Sequence, residues 1–240
     1  MYDPQIGTQK LVDDVSADVT KLQDGGIDGI LFCNENDRPY VFEASQEGIA
    51  AMAALVTAVK PILRVPFGVD FLWDPKATVA IGSAVGASFV REIFTGVFAS
   101  DMGLWEPDCA GAVKLRQQLG RADMKLLFNV NAEFAHSLDA RPVETRAQSI
   151  VFSSVADVIL VSGPMTGRPT DISVLEKVCS LVTQVPVLAN TGVTLDSVSS
   201  VLSIASGAIV GTHFKVAGIT WNSIDGDRVK RFMDKVSTLR

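Results

Sequence analysis

Two glycine-bearing segments near the end of the chain, Asn190-Thr191-Gly192-Val193-Thr194 and Gly211-Thr212-His213-Phe214-Lys215, each follow a short apolar run and lead toward a helix. Free main-chain N–H groups gather at a helix start, and the helix dipole favours an anion there. Glycine lets a ligand approach the backbone. The pair predicts a phosphate held by Asn190, Thr191, Gly192, Gly211, Thr212 and Lys215, although the same glycines also suit tight strand-to-helix turns. Polar side chains end other apolar runs: Asn34 and Glu35, Asp70, Arg91 with Glu92, Asn129 and Asn131. Side chains alternate along a strand, so Asn129 and Asn131 share a face, and Arg91 and Glu92 are not expected to face inward together. Arg91 is the expected ligand clamp, because its fork matches carboxylates and phosphates. Carboxylates, amides and an arginine in one mouth suit proton transfer. Glu35, Asp70, Arg91 and Asn129 form the expected catalytic group, with Asn131 binding substrate. A structural ion-pair network filling the mouth is the competing reading. The stretch Ser162 to Thr170, rich in glycine and proline, contacts substrate through Ser162 or Thr166, or is an ordinary turn.

Other chemistries lack their residues. His136 and His213 are the two histidines, and neither lies in H-E-x-x-H or beside a cysteine pair, so no metal is expected. Cys33, Cys109 and Cys179 are far apart and odd in number, which reads as buried free thiols in a reducing compartment. No G-x-S-x-G elbow and no strand-linked G-x-G-x-x-G occurs, so no hydrolase nucleophile and no dinucleotide cofactor is expected. A net charge of −6, unbroken by any Lys/Arg run, disfavours nucleic acid. No apolar run reaches the roughly 18 residues of a membrane span, and Met1 to Lys10 lacks the features of a signal peptide. The expected location is the cytoplasm. The expected partner is a small phosphorylated molecule, with self-association into a homo-oligomer left open.

The elements that position these groups follow one rhythm. Short β-branched runs alternate with amphipathic segments, the pattern of parallel strands crossed over by helices. Strands are predicted over Ile27–Phe32, Leu63–Val69, Ser88–Phe94, Lys125–Val130, Asp157–Val161, Val185–Ala189 and Ala208–Val210. The first helix carries Leu11, Val15, Val19 and Leu22 on one face and stops at Gly25-Gly26. Asp74-Pro75 reads as an N-cap with proline at the first helical position. Asp171 caps a later helix, and a long loop is expected between Phe94 and Asp108. The predicted fold is a single (β/α)8 barrel spanning residues 1–240, close to the typical length of about 250. Seven strands are legible, and the chain opens on a helix. The first barrel strand is therefore expected to be missing, with only Gln5-Ile6 able to pair briefly.

Several stretches together resemble the BtpA family: Leu22-Gln23-Asp24-Gly25-Gly26-Ile27-Asp28-Gly29-Ile30, Ala87 to Glu92, Ala156 to Gly163 with Thr166-Gly167, Pro186 to Thr194, and Ala208 to Lys215 with Arg228-Val229 and Phe232-Met233. The Gly-Thr-x-Phe-Lys element is the most specific of them. The resemblance implies a barrel of the ribulose-phosphate-binding type. It also implies either an isomerase, epimerase or aldolase-like enzyme on a phosphorylated metabolite, or a non-catalytic assembly factor of the photosystem I kind. An exposed apolar patch at Trp105 or Trp221 would favour the second. The sequence departs from the family at Glu133 and Phe134, which stand where a basic residue and a histidine are usual, and in lacking the opening strand.

Overall fold

A computed structural model describes residues 7–240. Helix α1 (Gly7–Asp24) leads to β1 (Ile30–Cys33), then α2 (Gln46–Val59) and β2 (Phe67–Asp70). Next come α3 (Pro75–Val85), β3 (Phe89–Glu92), β4 (Phe98–Ser100) and β5 (Gly103–Trp105), then α4 (Cys109–Gln118), β6 (Lys125–Asn129) and β7 (Ala135–Ser137). The chain continues through α5 (Val143–Ser153), β8 (Val158–Ser162), α6 (Ile172–Leu181), β9 (Val187–Asn190), α7 (Val198–Leu202), β10 (Gly207–Ile209) and α8 (Gly226–Ser237). Asp74 caps α3 as predicted, its carboxylate accepting from Lys76 N and Ala77 N at 3.0 Å each, and Gly86 ends that helix at φ 75°.

Seven strands form one parallel sheet in the order β1-β2-β3-β6-β8-β9-β10. Each consecutive pair is joined by a helical crossover, which curls the sheet into a barrel wall. β1 and β10 are its two ends and do not pair with each other. The helical ring nevertheless closes around that gap, because α1 packs against both α2 and α8. Among the described residues no strand precedes α1; the expected first strand falls on residues 1–6, which lie outside the described residues.

Alternation sorts the strand residues into two sets. Phe32, Val69, Val90, Phe128, Ile159 and Val187 face the helices and belong to the main apolar core. The opposite set faces the lumen, and its uppermost members are Cys33, Asp70, Arg91, Asn129, Ser162 and Asn190. Beneath Arg91 lies Phe89, whose ring occupies the space that a side chain at Gly68 would need; a Cβ there would meet the ring at 2.2 Å. Glycine at 68 is thus the partner of an aromatic floor.

The expected long loop is instead structured. β4 and β5 form a hairpin, and β7 pairs with β4 to make a three-stranded antiparallel sheet over the mouth. Its inner face joins Phe98 and Trp105 to Trp73, Ile93 and Ala132 in a second apolar cluster, where Phe42 stacks on Trp105 at 5.7 Å. Strands of three residues leave too little alternation to read, and the partner strand lies in another loop.

Candidate active site

Arg91, near the end of β3, is the hub. Its Nη1 donates to Asp70 Oδ2 at 2.6 Å, its Nη2 to Glu133 Oε1 at 2.7 Å and its Nε to Asn129 Oδ1 at 3.1 Å. All three nitrogens are engaged. Asp70 and Asn129 are fully buried, whereas Glu133 is 8% exposed. The Asn190 amide then donates to Glu133 Oε1 at 2.9 Å and to Ser162 Oγ at 2.8 Å, and Asn129 Nδ2 reaches the same Ser162 Oγ at 3.1 Å. The ends of five strands are thereby tied into one network.

Cys33 and Glu35 complete it from β1. The Cys33 thiol lies 3.7 Å from both Asp70 Oδ2 and Glu35 Oε2. Burial pushes this thiol well above its ordinary range, and the charges of Asp70 and Glu35 add to the effect. Burial works against the charge of Arg91, but Asp70 and Glu133 hold the guanidinium protonated.

Glu92 follows Arg91 on β3 and is 2% exposed, its carboxyl beside that of Asp70. It sits at the strand end, where the chain leaves the sheet and its side chain can turn back; Oε1 accepts from Ile93 N at 2.7 Å. Among the described residues, Glu92 Oε2 and Asp70 Oδ1 find no donor, and one proton held between the two carboxyls would satisfy both. Burial, then the charge of Asp70, raises the Glu92 carboxyl well above the usual carboxylate range; burial raises Asp70 too, and there the charge of Arg91 works against it.

The remaining expected binding residues have mixed commitments. Asn131 clasps the main chain of Ser162, accepting from its N–H at 2.9 Å and donating to its carbonyl at 2.6 Å. Thr191, at φ 65°, accepts from Gly163 N and donates to Arg168 O, each at 2.8 Å. Gly192, at φ 62°, lies against its own chain: a Cβ would stand 2.3 Å from the Arg168 carbonyl carbon and Pro169 N. These residues hold the Ser162–Thr170 loop over the mouth. From that loop Thr166 donates to Glu35 Oε1 at 2.7 Å and lies 3.4 Å from Glu133 Oε2. Gly211 faces open space. Thr212 pairs with Thr220 at 3.0 Å, and Lys215 lies 3.5 Å from Asp18 of α1. At the rim, Arg38 stacks over Trp221 at 3.8 Å, bridging the loops after β1 and β10.

One cavity of about 1440 Å3 joins these features. Arg91, Glu133, Cys33 and Glu35 line it, and so do Gly211, Thr212 and Lys215. Two central residues escaped the sequence reading. Cys33 looked like a core thiol at the end of an apolar run; its alternation with Leu31 was the available signal. Glu133 sits in a loop with no periodicity to reveal it, and only its match to an unusual family position drew notice.

The sequence profile of the BtpA family matches residues 2–238. This chain belongs to the BtpA family. Within reach of that family, the chain is 40% identical to the sgc region protein SgcQ of Escherichia coli (strain K12) over its full length and 89% of that protein. It is 29% identical to the photosystem I biogenesis protein BtpA of Synechocystis sp., covering 95% of this chain and 80% of that one. The fold resembles (S)-3-O-geranylgeranylglyceryl phosphate synthase from Thermoplasma acidophilum, solved with its substrate sn-glycerol-1-phosphate. The TM-score is 0.63 at 13% identity, over 94% of this chain and 87% of that one. The BtpA-family chain thus has a TIM-barrel-type fold, as predicted. No described helix is long and apolar enough to cross a membrane.

Proposed function

We propose that this BtpA-family barrel is an enzyme performing proton-transfer chemistry, of the isomerase, epimerase or aldol type, on a small phosphorylated compound. The observation that carries the reading is the shared cavity: the loops after β9 and β10 and the charged cluster around Arg91 open into the same space. Barrels place their chemistry at this end of the strands and commonly grip phosphate with the last two loops. The phosphate would lie near Gly211, Thr212 and Lys215, which leave room for it. Arg91, Glu133, Glu35 and Cys33 would face the reacting carbons, while Asp70 and Asn129, having no exposure, position Arg91.

A non-catalytic scaffold is less well supported. Burying an ion-pair network costs stability that apolar packing would not. Of the two tryptophans whose exposure would suggest a partner surface, Trp105 is 4% exposed; Trp221 is 46% exposed near Ile219, with Arg38 stacked on its ring.

Millimolar inorganic phosphate and a set of sugar phosphates should raise the melting temperature above that of salt controls. A hundredfold excess over the dissociation constant adds about 2.7 kcal/mol. Gly211→Val should abolish this protection. Among the described residues, no atom beyond its chain neighbours lies within 4 Å of a Cβ at that position, so the added side chain takes the space assigned to the anion. A melting temperature indifferent to every phosphate compound would defeat the proposal.

A further inference from the structure

The polar atoms that the charged cluster presents to the cavity are nearly all acceptors. Glu35 and Glu133 line it with carboxylate oxygens, and each nitrogen of Arg91 already has a carboxylate or amide partner. Four carboxyl groups, those of Glu35, Asp70, Glu92 and Glu133, surround a single guanidinium. Even with one proton held between Glu92 and Asp70, acids remain in excess. Arg91 keeps one further N–H on each Nη, but an incoming carboxylate would meet repulsion from the surrounding acids.

The fold itself shows what fits. The Thr166 hydroxyl stands between Glu35 Oε1 at 2.7 Å and Glu133 Oε2 at 3.4 Å, groups delivered from opposite sides of the mouth. A second indication comes from a small cavity of about 10 Å3 walled by Trp73, Glu35, Arg91, Glu92 and Glu133. That is room for a single oxygen. Trp73 is 2% exposed, and its Nε1 has no partner among the described residues. An oxygen that accepted from Trp73 Nε1 and donated to a glutamate would satisfy both groups. A hydroxyl can do both, whereas a carboxylate oxygen can only accept.

We infer that the end of the ligand facing Arg91 is hydroxyl-rich and uncharged or cationic, a polyol or amino-polyol group and not a carboxylate. This rests on the reading that a phosphate anchors the other end. Glu35 and Glu133 then act as specificity-determining residues, each accepting from a ligand hydroxyl in the place Thr166 now takes.

Isothermal titration with sn-glycerol 1-phosphate and 3-phosphoglycerate tests it, because the two differ in carrying a CH2OH or a carboxylate at one carbon. Inorganic phosphate serves as the reference. Glycerol phosphate should bind at least about tenfold tighter than phosphoglycerate, since opposed like charges are costly. Glu133→Gln should shrink that ratio severalfold. Glu35→Gln, at a half-buried position, should do the same if Glu133→Gln fails to fold. Phosphoglycerate binding as tightly as glycerol phosphate, with inorganic phosphate also bound, would overturn the inference and leave the phosphate site standing. If no phosphate compound binds, the phosphate reading falls. Glucosamine then decides the matter: binding that Glu35→Gln weakens upholds the hydroxyl-rich site, and no binding overturns it.

Discussion

Arg91 and Glu133 lie 42 residues apart in the chain and 2.7 Å apart in the barrel mouth. The second of them stands on a loop, so the ion pair exists only once β3 and β6 have paired and the loop after β6 has turned back over them. The pair is a product of tertiary structure, and disturbing it should be felt in both stability and binding.

Arg91→Met should destabilise the fold by about 3–5 kcal/mol, because Asp70 and Glu133 would be left as buried charges without a partner. Arg91→Lys keeps the charge but reaches fewer acceptors, and should cost about 1–3 kcal/mol while also weakening ligand binding. Urea denaturation together with calorimetric titration reads both quantities. An Arg91→Lys protein with lowered stability and unchanged affinity would confine Arg91 to tying strands together.

The shared proton predicts opposite outcomes at two acids. The Glu92 carboxyl is raised well above its usual value of 4.5. The stability linked to its proton is complete below that value and is lost as pH rises through the raised one. Glu92→Gln preserves a donor toward Asp70 and cannot ionise. It should match the parent protein in acid, within about 1 kcal/mol, and hold its stability better as pH rises. Asp70→Asn removes the countercharge of Arg91 and should be destabilising throughout. Unfolding curves between about pH 4.5 and pH 9 make the comparison. If Glu92→Gln were as damaging as Asp70→Asn at every pH, Glu92 would have to be ionised.

Two glycines that looked alike in the sequence should behave differently. Gly192→Ala places a Cβ against the backbone of Arg168 and Pro169 at a positive φ, and should cost about 2 kcal/mol or more. Gly211→Ala should leave the melting temperature within a few degrees. Comparable losses at both sites would show that the segment after β10 is packed as tightly as the one after β9.

Cys33 should alkylate slowly although it borders a cavity. Its thiol is held protonated by burial and two neighbouring carboxylates, and the thiolate is the reactive form. Native protein treated with iodoacetamide at about pH 8, then digested and mapped by mass spectrometry, should show Cys33 modified after Cys109 and Cys179. Rapid labelling at Cys33 would place a cation closer to it than Arg91.

Much of this architecture was written in local patterns. Asp74 followed by Pro75 announced the start of α3, and the apolar run Ser88–Phe94 announced β3 with Arg91 near its end. Strand limits were harder. Ile27 and Leu63 extend the apolar runs and pack against the core, yet the hydrogen-bonded ladder begins only at Ile30 and Phe67. The roof was illegible because its strands have three residues each and pair across separate loops. In the site, the members lying on strands could be found by alternation, as with Asp70, Arg91 and Asn129. Glu133 and the turning back of Glu92 depend on where the chain leaves the sheet, which no periodicity records.

The antiparallel pairing of β4 with β7 has a mechanical side. β4 belongs to the connection after Arg91, and β7 begins two residues beyond Glu133. The segment that follows Arg91's strand and the segment that follows Glu133 are stitched to each other. Lifting that half of the roof would stretch the ion pair as well as the ladder. On the opposite side, where the loops after β1 and β10 meet, Arg38 over the half-exposed Trp221 is a clasp worth about 0.5–1 kcal/mol. The mouth is stitched by a β-ladder on one side and, on the other, joined across the loops after β1 and β10 by a single cation–π contact among the described residues.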